Sequence, residues 1–480
     1  MCDTHGPRAP QKEILPIQRF APAVPTSEDC LYLNPDGRAV LVFIHGGGFA
    51  THTSANYGDY NICKTLCSRE LVVVTIQYRL GILGFSATGD EHSIPNLGLW
   101  DQAMALKWVK TNIANFKGNP ENITIFGQSA GAASVDMLCL SPHTNVLFNK
   151  AFALGGSASC GWAMINIEDL RNATINFAMK LGWRPPENGS RSEISQSLMD
   201  FLRKQPSKKL ALGMSEAKRT NKNPYGLFFV PVVDGDFFPA SIPELRKQAP
   251  KKSFMIGTTE YEGLLFVALA KKYYGIKKLK KIIPEKFTAD KYQDYEELKS
   301  KVTAMYLKPQ QTKNEMTRAY VKLLSDLFIN NGVHEFAQDM TFAGHTVYLY
   351  SFLYCNPKHF GFLGFFFPFK AATHAMELPY LFGKGLMSSF KPTIDDQKVM
   401  EKFHTLISNF AIYGDPNGTS MEKQWKPLTA EDTYCYLSID KELVMKSNYE
   451  DRRPEFWHQL NARKLSILKD KKEAVEEKTV

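Results

Sequence analysis

Several features that would mark a special environment are scarce in this sequence. Cysteine is sparse, with 8 in 480 residues, no Cys-x-x-Cys pair and no His/Cys spacing suited to a metal. That excludes a disulfide-stapled scaffold and gives no support to a zinc module. Cys63 and Cys67 lie four apart on a stretch with helical spacing and are expected to form a buried thiol pair. No apolar run is long enough to span a bilayer. The start, "MCDTHGPRAP", lacks the apolar core of a secretory signal, so a chain that truly begins there is expected in the cytosol. Charge of one sign is also modest, since 58 basic and 49 acidic residues leave a formal net charge of +9. The lysine clusters at 271–281 and 464–478 read as a solvated helix face and an exposed, charged tail, and no nucleic-acid partner is expected. Sequons at Asn122, Asn172, Asn188 and Asn417 are frequent enough by chance to say little about secretion.

What remains is an ordinary globular balance, 44% apolar and 22% charged, in a chain long enough to bury a large core. Apolar runs at 40–44, 71–78, 123–126, 151–154, 254–256 and 346–352 do not alternate with polar residues. Strands apolar on both faces suit the middle of a parallel sheet covered by helices. Between two of them, Leu99, Ala103, Leu106, Val109 and Ile113 fall on one helical face. Alternation of this kind predicts a doubly wound α/β sheet. Residues 185–225, polar and proline-bearing, read as an insertion or lid.

The strongest chemical signal is Gly127-Gln128-Ser129-Ala130-Gly131, between the strand-like "NITIF" and the helix-compatible "AASVDMLCL". A strand-to-helix turn this sharp admits only small residues on either side of its centre. It presents the serine hydroxyl at the carboxyl end of the strand, over a helix N-terminus. Ser129 is therefore a candidate nucleophile. The run His45-Gly46-Gly47-Gly48-Phe49 also follows a strand. Its glycines can aim backbone N–H groups at one point, and donors from Gly47, Gly48 and Ala130 could meet there on an oxyanion. A plain glycine loop or a phosphate cradle is the alternative, but no Walker lysine follows. A serine nucleophile needs a base and an orienting acid. Periodicity alone does not choose among the 11 histidines.

A series of segments spanning almost the whole chain resembles the type-B carboxylesterase/cholinesterase family of α/β-hydrolases. They run in order: "SEDCLYLN" at 27–34, "HGGGF" at 45–49, "YRLGILGF" at 78–85, "NLGLWDQAMALKWV" at 96–109 and "NPENITIFGQSAGAAS" at 119–134. "PVVDGDFFP" at 231–239, "GTTEYEG" at 257–263, "ATHAMELPYLFG" at 372–383, "NFAIYGDPN" at 409–417 and "RRPEFW" at 452–457 complete the set. The resemblance implies one α/β-hydrolase domain over 1–463, with a predominantly parallel central sheet and helical insertions over the active site, followed by the tail 464–480. It implies a carboxylic ester hydrolase with Ser129 as nucleophile, Glu262 as triad acid and His374 as base. It gives Arg79 and Asp101 as a structural ion pair and needs no cofactor or metal.

Departures from the family pattern refine this. Gln128 stands where many members have Glu and resembles the gut-type and juvenile-hormone-type esterases; it removes a negative charge beside the nucleophile. Ala375 stands where many members have Gly, with little expected effect. Residues 3–29 hold no Trp, so the choline-binding loop of the cholinesterases is not matched. Gln128, Phe237, Phe238 and Phe365 are expected to line a pocket for uncharged, lipophilic esters. The family also implies secretion or the endoplasmic-reticulum lumen, a further segment before Met1 that carries the partner of Glu28, and a loop disulfide at Cys30, for which Cys2 is the candidate partner. Two other readings stay open: a specialised juvenile-hormone-type esterase, and a binding or adhesion protein with a vestigial triad.

Overall fold

The structure is a computed structural model that describes residues 38–211, 227–269, 280–385, 390–420 and 422–462. Cys2, Glu28, Cys30, residues 271–279 of the first lysine cluster and the tail 464–480 lie outside the described residues.

Among the described residues, eight strands form one sheet in the order β2-β1-β3-β4-β5-β6-β7-β8. They are β1 (Ala39–Ile44), β2 (Leu71–Ile76), β3 (Ile123–Gln128), β4 (Lys150–Leu154), β5 (Ser253–Thr259), β6 (Thr346–Phe352), β7 (Tyr436–Ile439) and β8 (Leu443–Lys446). Each neighbouring pair is parallel except β7 with β8. Strand side chains alternate between faces, and here both faces are apolar. Val40, Val42, Ile44, Ile123, Ile125, Phe254 and Ile256 enter one core, while Leu41, Phe43, Phe126, Phe152, Met255 and Tyr350 enter the other. Complete burial of such a side chain is worth roughly 1.5–3 kcal/mol, so the sheet is specified by its covering.

The main helices for the site are α1 (Leu97–Asn112), α2 (Ala130–Leu140), α3 (Gly263–Leu269), α4 (Lys313–Ser325), α5 (Asn331–Phe342), α6 (Leu378–Phe382) and α7 (Ile394–Tyr413). α1, α2 and α5 cover the first face, through residues such as Leu106, Val135 and Phe336. α6 and α7 cover the second, through Leu381, Phe403 and Phe410. A third cluster joins Leu264 and Val267 of α3 to Val321 and Leu324 of α4 and to Trp457. The architecture is the doubly wound sheet that apolar runs on both strand faces predict. Within 185–225, Arg191–Arg203 is a helix opened by a Ser190–Glu193 capping box, and residues 212–226 lie outside the described residues.

Two local expectations are corrected. Cys63 is exposed and Cys67 only half-buried, so they make no buried pair: Cys63 stands on a short surface helix in which only Ile62 is buried, and Cys67 lies beyond its end. Phe365, expected in a pocket, is exposed together with Phe362 and Phe366, and only Phe360 nearby is buried. Of the four sequons, Asn172 and Asn188 are exposed. The Asn122 amide donates to Ile412 O and that of Asn417 to Trp425 O. No described helix is long and apolar enough to cross a membrane.

Candidate active site

Parallel strands leave their carboxyl ends on one edge, where open α/β sheets build their sites. β1 runs into the glycine loop, β3 into Ser129, β5 towards Glu262, and His374 follows the long connection out of β6.

Ser129 is the pivot between β3 and α2. Its backbone takes φ 59° and ψ −123°, a strained conformation for a residue with a side chain, costing on the order of 1–3 kcal/mol. The turn is held from both sides. Ser129 N–H donates to Leu154 O of β4 at 2.9 Å, and Ser129 O accepts from Ala133 N–H at 2.9 Å. Close packing beneath it explains the glycine at 131. A Cβ there would stand 2.0 Å from Ile44 O, so no larger residue lets α2 approach β1.

The loop after β1 is shaped for donation. Gly47 has φ +108°, and a Cβ on it would meet Thr51 O at 2.1 Å. Its carbonyl turns away to accept from Ala50 and Thr51 N–H, each at 3.1 Å. The N–H groups of Gly47 and Gly48 donate to no acceptor among the described residues. Ala130 opens α2, and its N–H belongs to the donors a helix start leaves without an intrahelical partner. His45 supports the loop. Its Nδ1–H donates to Gly46 O at 2.9 Å, and Tyr78 Oη–H donates to His45 O at 2.8 Å. Burial pushes the His45 imidazole down to about 3, so it is a neutral brace.

Glu262 and His374 meet inside the protein. His374 Nδ1–H donates to Glu262 Oε2 at 2.5 Å, and Glu262 Oε1 accepts from Thr259 N–H at 2.7 Å. Two further bonds clamp the same segments: Tyr261 N–H to Ala372 O and Leu265 N–H to Thr373 Oγ1, both at 2.8 Å. The imidazole cannot turn away from Glu262 without breaking its Nδ1 bond. Its other nitrogen, Nε2, accepts from the Gln128 side-chain amide at 3.1 Å. The edge of the site beside them is apolar. The Phe266 ring lies 5.1 Å from the His374 ring, Phe328 lies 5.4 Å from Phe266, and Leu227 packs on Gly48.

Arg79 and Asp101 form a forked ion pair, Nε to Oδ2 at 2.8 Å and Nη2 to Oδ1 at 2.7 Å, and Arg79 N–H also donates to Oδ2. The structure brings Gln128, Ser129, the glycine loop, Glu262 and His374 together, but three of the expected pocket residues lie elsewhere. Phe237 and Phe238 are fully buried against each other, with Phe237 edge-on to Trp100 at 4.9 Å. They have no free surface to offer a substrate. Phe365 is 80% exposed on the surface aromatic segment and encloses nothing. Motif position brought these three forward, but aromatic identity alone does not separate core, pocket and surface.

Sequence reasoning also passed over Glu377, three residues beyond His374 in the same segment. Both carboxyl oxygens lack a hydrogen-bond partner among the described residues. Burial, and then Glu262 nearby, pushes its carboxyl well above the usual range. Ala375 is a second correction. It takes φ +69°, where an alanine is strained and glycine is not; the exchange from Gly is more than a trimming of size. Among the described residues, no cluster of three or more His, Cys, Asp or Glu side chains could hold a metal ion.

Comparison with known proteins places most of the chain in a known family. The sequence pattern of the carboxylesterase family matches residues 1–457. The chain is 37% identical to esterase cest-33 of Caenorhabditis elegans over 466 residues, covering 95% of this chain and 81% of that protein. It is 32% identical to bile salt-activated lipase of Bos taurus, covering 90% and 75% respectively. It is 29% identical to cholinesterase of Mus musculus, covering 96% and 77%. With an eight-stranded, mostly parallel sheet and a strained serine between strand and helix, the chain belongs to the carboxylesterase family and is a serine carboxylic ester hydrolase.

Proposed function

We propose that Ser129, His374 and Glu262 hydrolyse uncharged, lipophilic carboxylic esters through an acyl-enzyme. The observation that carries this reading is the buried 2.5 Å bond between His374 Nδ1 and Glu262 Oε2, set beside a serine in a strained strand-to-helix turn. The bond keeps the Nδ1 proton in place and leaves the Nε2 lone pair as the basic site. Nε2 takes the Ser129 hydroxyl proton as Oγ attacks the ester carbonyl. The resulting oxyanion is met by the N–H groups of Gly47, Gly48 and Ala130, which need not reorganise to reach it. The imidazolium returns its proton to the departing alcohol. Water then enters, gives a proton to Nε2 and attacks the acyl carbonyl; the imidazolium passes that proton to the departing Ser129 Oγ, which releases the acid and free Ser129.

The substrate class follows from the lining. Gln128 places a neutral amide, not a carboxylate, beside the nucleophile, and Phe266, Phe328 and Leu227 make the adjoining surface apolar. Among the described residues, a cationic choline ester meets no carboxylate there other than Glu262, which is committed to His374. The lipase among the relatives points the same way. Hydrolysis of p-nitrophenyl acetate, butyrate and octanoate, beside butyrylthiocholine, tests this. A kcat/KM that rises with acyl length and stays low for the thiocholine ester is expected; preference for the cationic ester would contradict it.

A further inference from the structure

The 3.1 Å bond from Gln128 Nε2 to His374 Nε2 occupies the atom that the mechanism needs. With the Nδ1 proton committed to Glu262, Nε2 offers a single in-plane lone pair. It can accept one well-formed hydrogen bond. Here that bond comes from Gln128, and Ser129 Oγ donates to no group among the described residues. Gln128 is buried at the end of β3 and directly precedes the nucleophile. Its other amide atom lies against the glycine loop: a Cβ on Gly46 would stand 3.2 Å from Gln128 Oε1. The side chain therefore links the loop that awaits the oxyanion to the base that must activate the serine.

We propose that Gln128 is a positioning residue that latches the base in the ligand-free site, holding His374 Nε2 away from Ser129 until an ester displaces the amide. This rests on the triad roles proposed above. The chemistry of the residue fits the role. A neutral imidazole nitrogen needs a donor, which glutamine has and an ionised glutamate lacks. Once Nε2 carries the serine proton it becomes a donor itself, so the amide N–H can no longer face it. Catalysis therefore requires the amide to rotate or withdraw at each acylation. The latch opposes premature activation of Ser129 and is released in the step that uses the base.

The test uses the full chain and two variants, Gln128→Met, close in length without a donor, and Gln128→Glu, close in shape without a donor when ionised. Stopped-flow acylation by p-nitrophenyl butyrate is read beside the 15N resonance of His374 Nε2 in ligand-free protein. Acylation about two- to tenfold faster in Gln128→Met is expected, the range for one hydrogen bond, with little change in the substrate dissociation constant. The Nε2 resonance is expected to move downfield as its donor is lost. If Gln128→Met does not fold, the Nε2 resonance of Gln128→Glu decides. Unchanged or slower acylation, or an unmoved Nε2 resonance, would overturn the proposal. A wild-type chain that neither turns over nor acylates would refute the triad roles instead, and the resonance would still report whether the latch exists.

Discussion

Ala375 and Glu377 stand one and three residues beyond His374, and each bears a cost that the site retains. Ala375 holds φ +69°, a left-handed conformation that costs an L-residue about 1–2 kcal/mol. Ala375→Gly should therefore raise unfolding free energy by up to about 1 kcal/mol, offset in part by the freedom glycine gains when unfolded. Urea denaturation measures it, and a destabilised variant would show that the left-handed turn is not strained. Glu377 keeps its proton to higher pH in the folded protein because burial disfavours the charged form. In the unfolded chain it ionises near the ordinary value of about 4.3. The folded state then binds more protons above that point, so stability falls as pH rises towards the folded value. Glu377→Gln has no proton to lose. Its melting temperature should decline less than that of the parent as pH rises from about 5; parallel curves would mean that Glu377 does not carry a raised pKa. Neither residue was legible as a site residue in the sequence. Both lie in a quoted segment, but backbone φ and the absence of a buried partner are tertiary facts.

At the scale of elements, α2 carries the nucleophile turn at its start and is pinned further along. Arg246 Nη1 donates to Asp136 Oδ1 at 2.7 Å, and Asp136 Oδ2 accepts from Ala158 N–H at 2.9 Å. All of this is buried, so removing the cation strands a carboxylate. Arg246→Leu should cost about 3–5 kcal/mol, and Asp136→Asn in the same chain should restore part of it. A loss below about 1 kcal/mol in denaturant titration would mean the pair is not a brace. A second clamp holds the turn at 448–452. Asn448, Glu450, Asp451 and Arg452 all have positive φ, from 48° to 61°. Buried Glu450 meets Lys322 and Arg453, and Arg453 Nε reaches Asp326 Oδ2 at 2.6 Å. Strain of that kind survives only where surrounding contacts over-determine it. β1 to β6 were legible because both faces of each are apolar. β7 and β8 were not: each has four residues, and β8 is partly exposed along its whole length. α1 was legible from its period, but its start was not, since Asn96 caps it in a left-handed conformation and commits its side chain to Val232 and Asp234 instead of to the helix.

Across the whole molecule, the site is assembled from residues far apart in the chain. Ser129 and the glycine loop announce themselves locally, since their turns demand glycine and a small nucleophile at fixed offsets. Glu262 and His374 are separated by 112 positions. Nothing in their neighbours marks them as partners, and only the family resemblance joined them before the sheet brought them together. The role of Gln128 lay beyond both routes, because it depends on which atom its amide reaches.

The most direct measurement of the central claim is covalent labelling of the active serine. Purified chain is treated with a small fluorophosphonate and digested, and the modified peptide is found by mass spectrometry beside Ser129→Ala. One adduct per chain on Ser129 is expected. Hydrolysis of p-nitrophenyl butyrate should fall in step with labelling, and kcat in the Ser129→Ala chain should drop by roughly 10⁴-fold or more. A folded chain that takes no label, or one that takes it elsewhere and keeps its turnover in Ser129→Ala, would contradict the assignment of Ser129 as nucleophile.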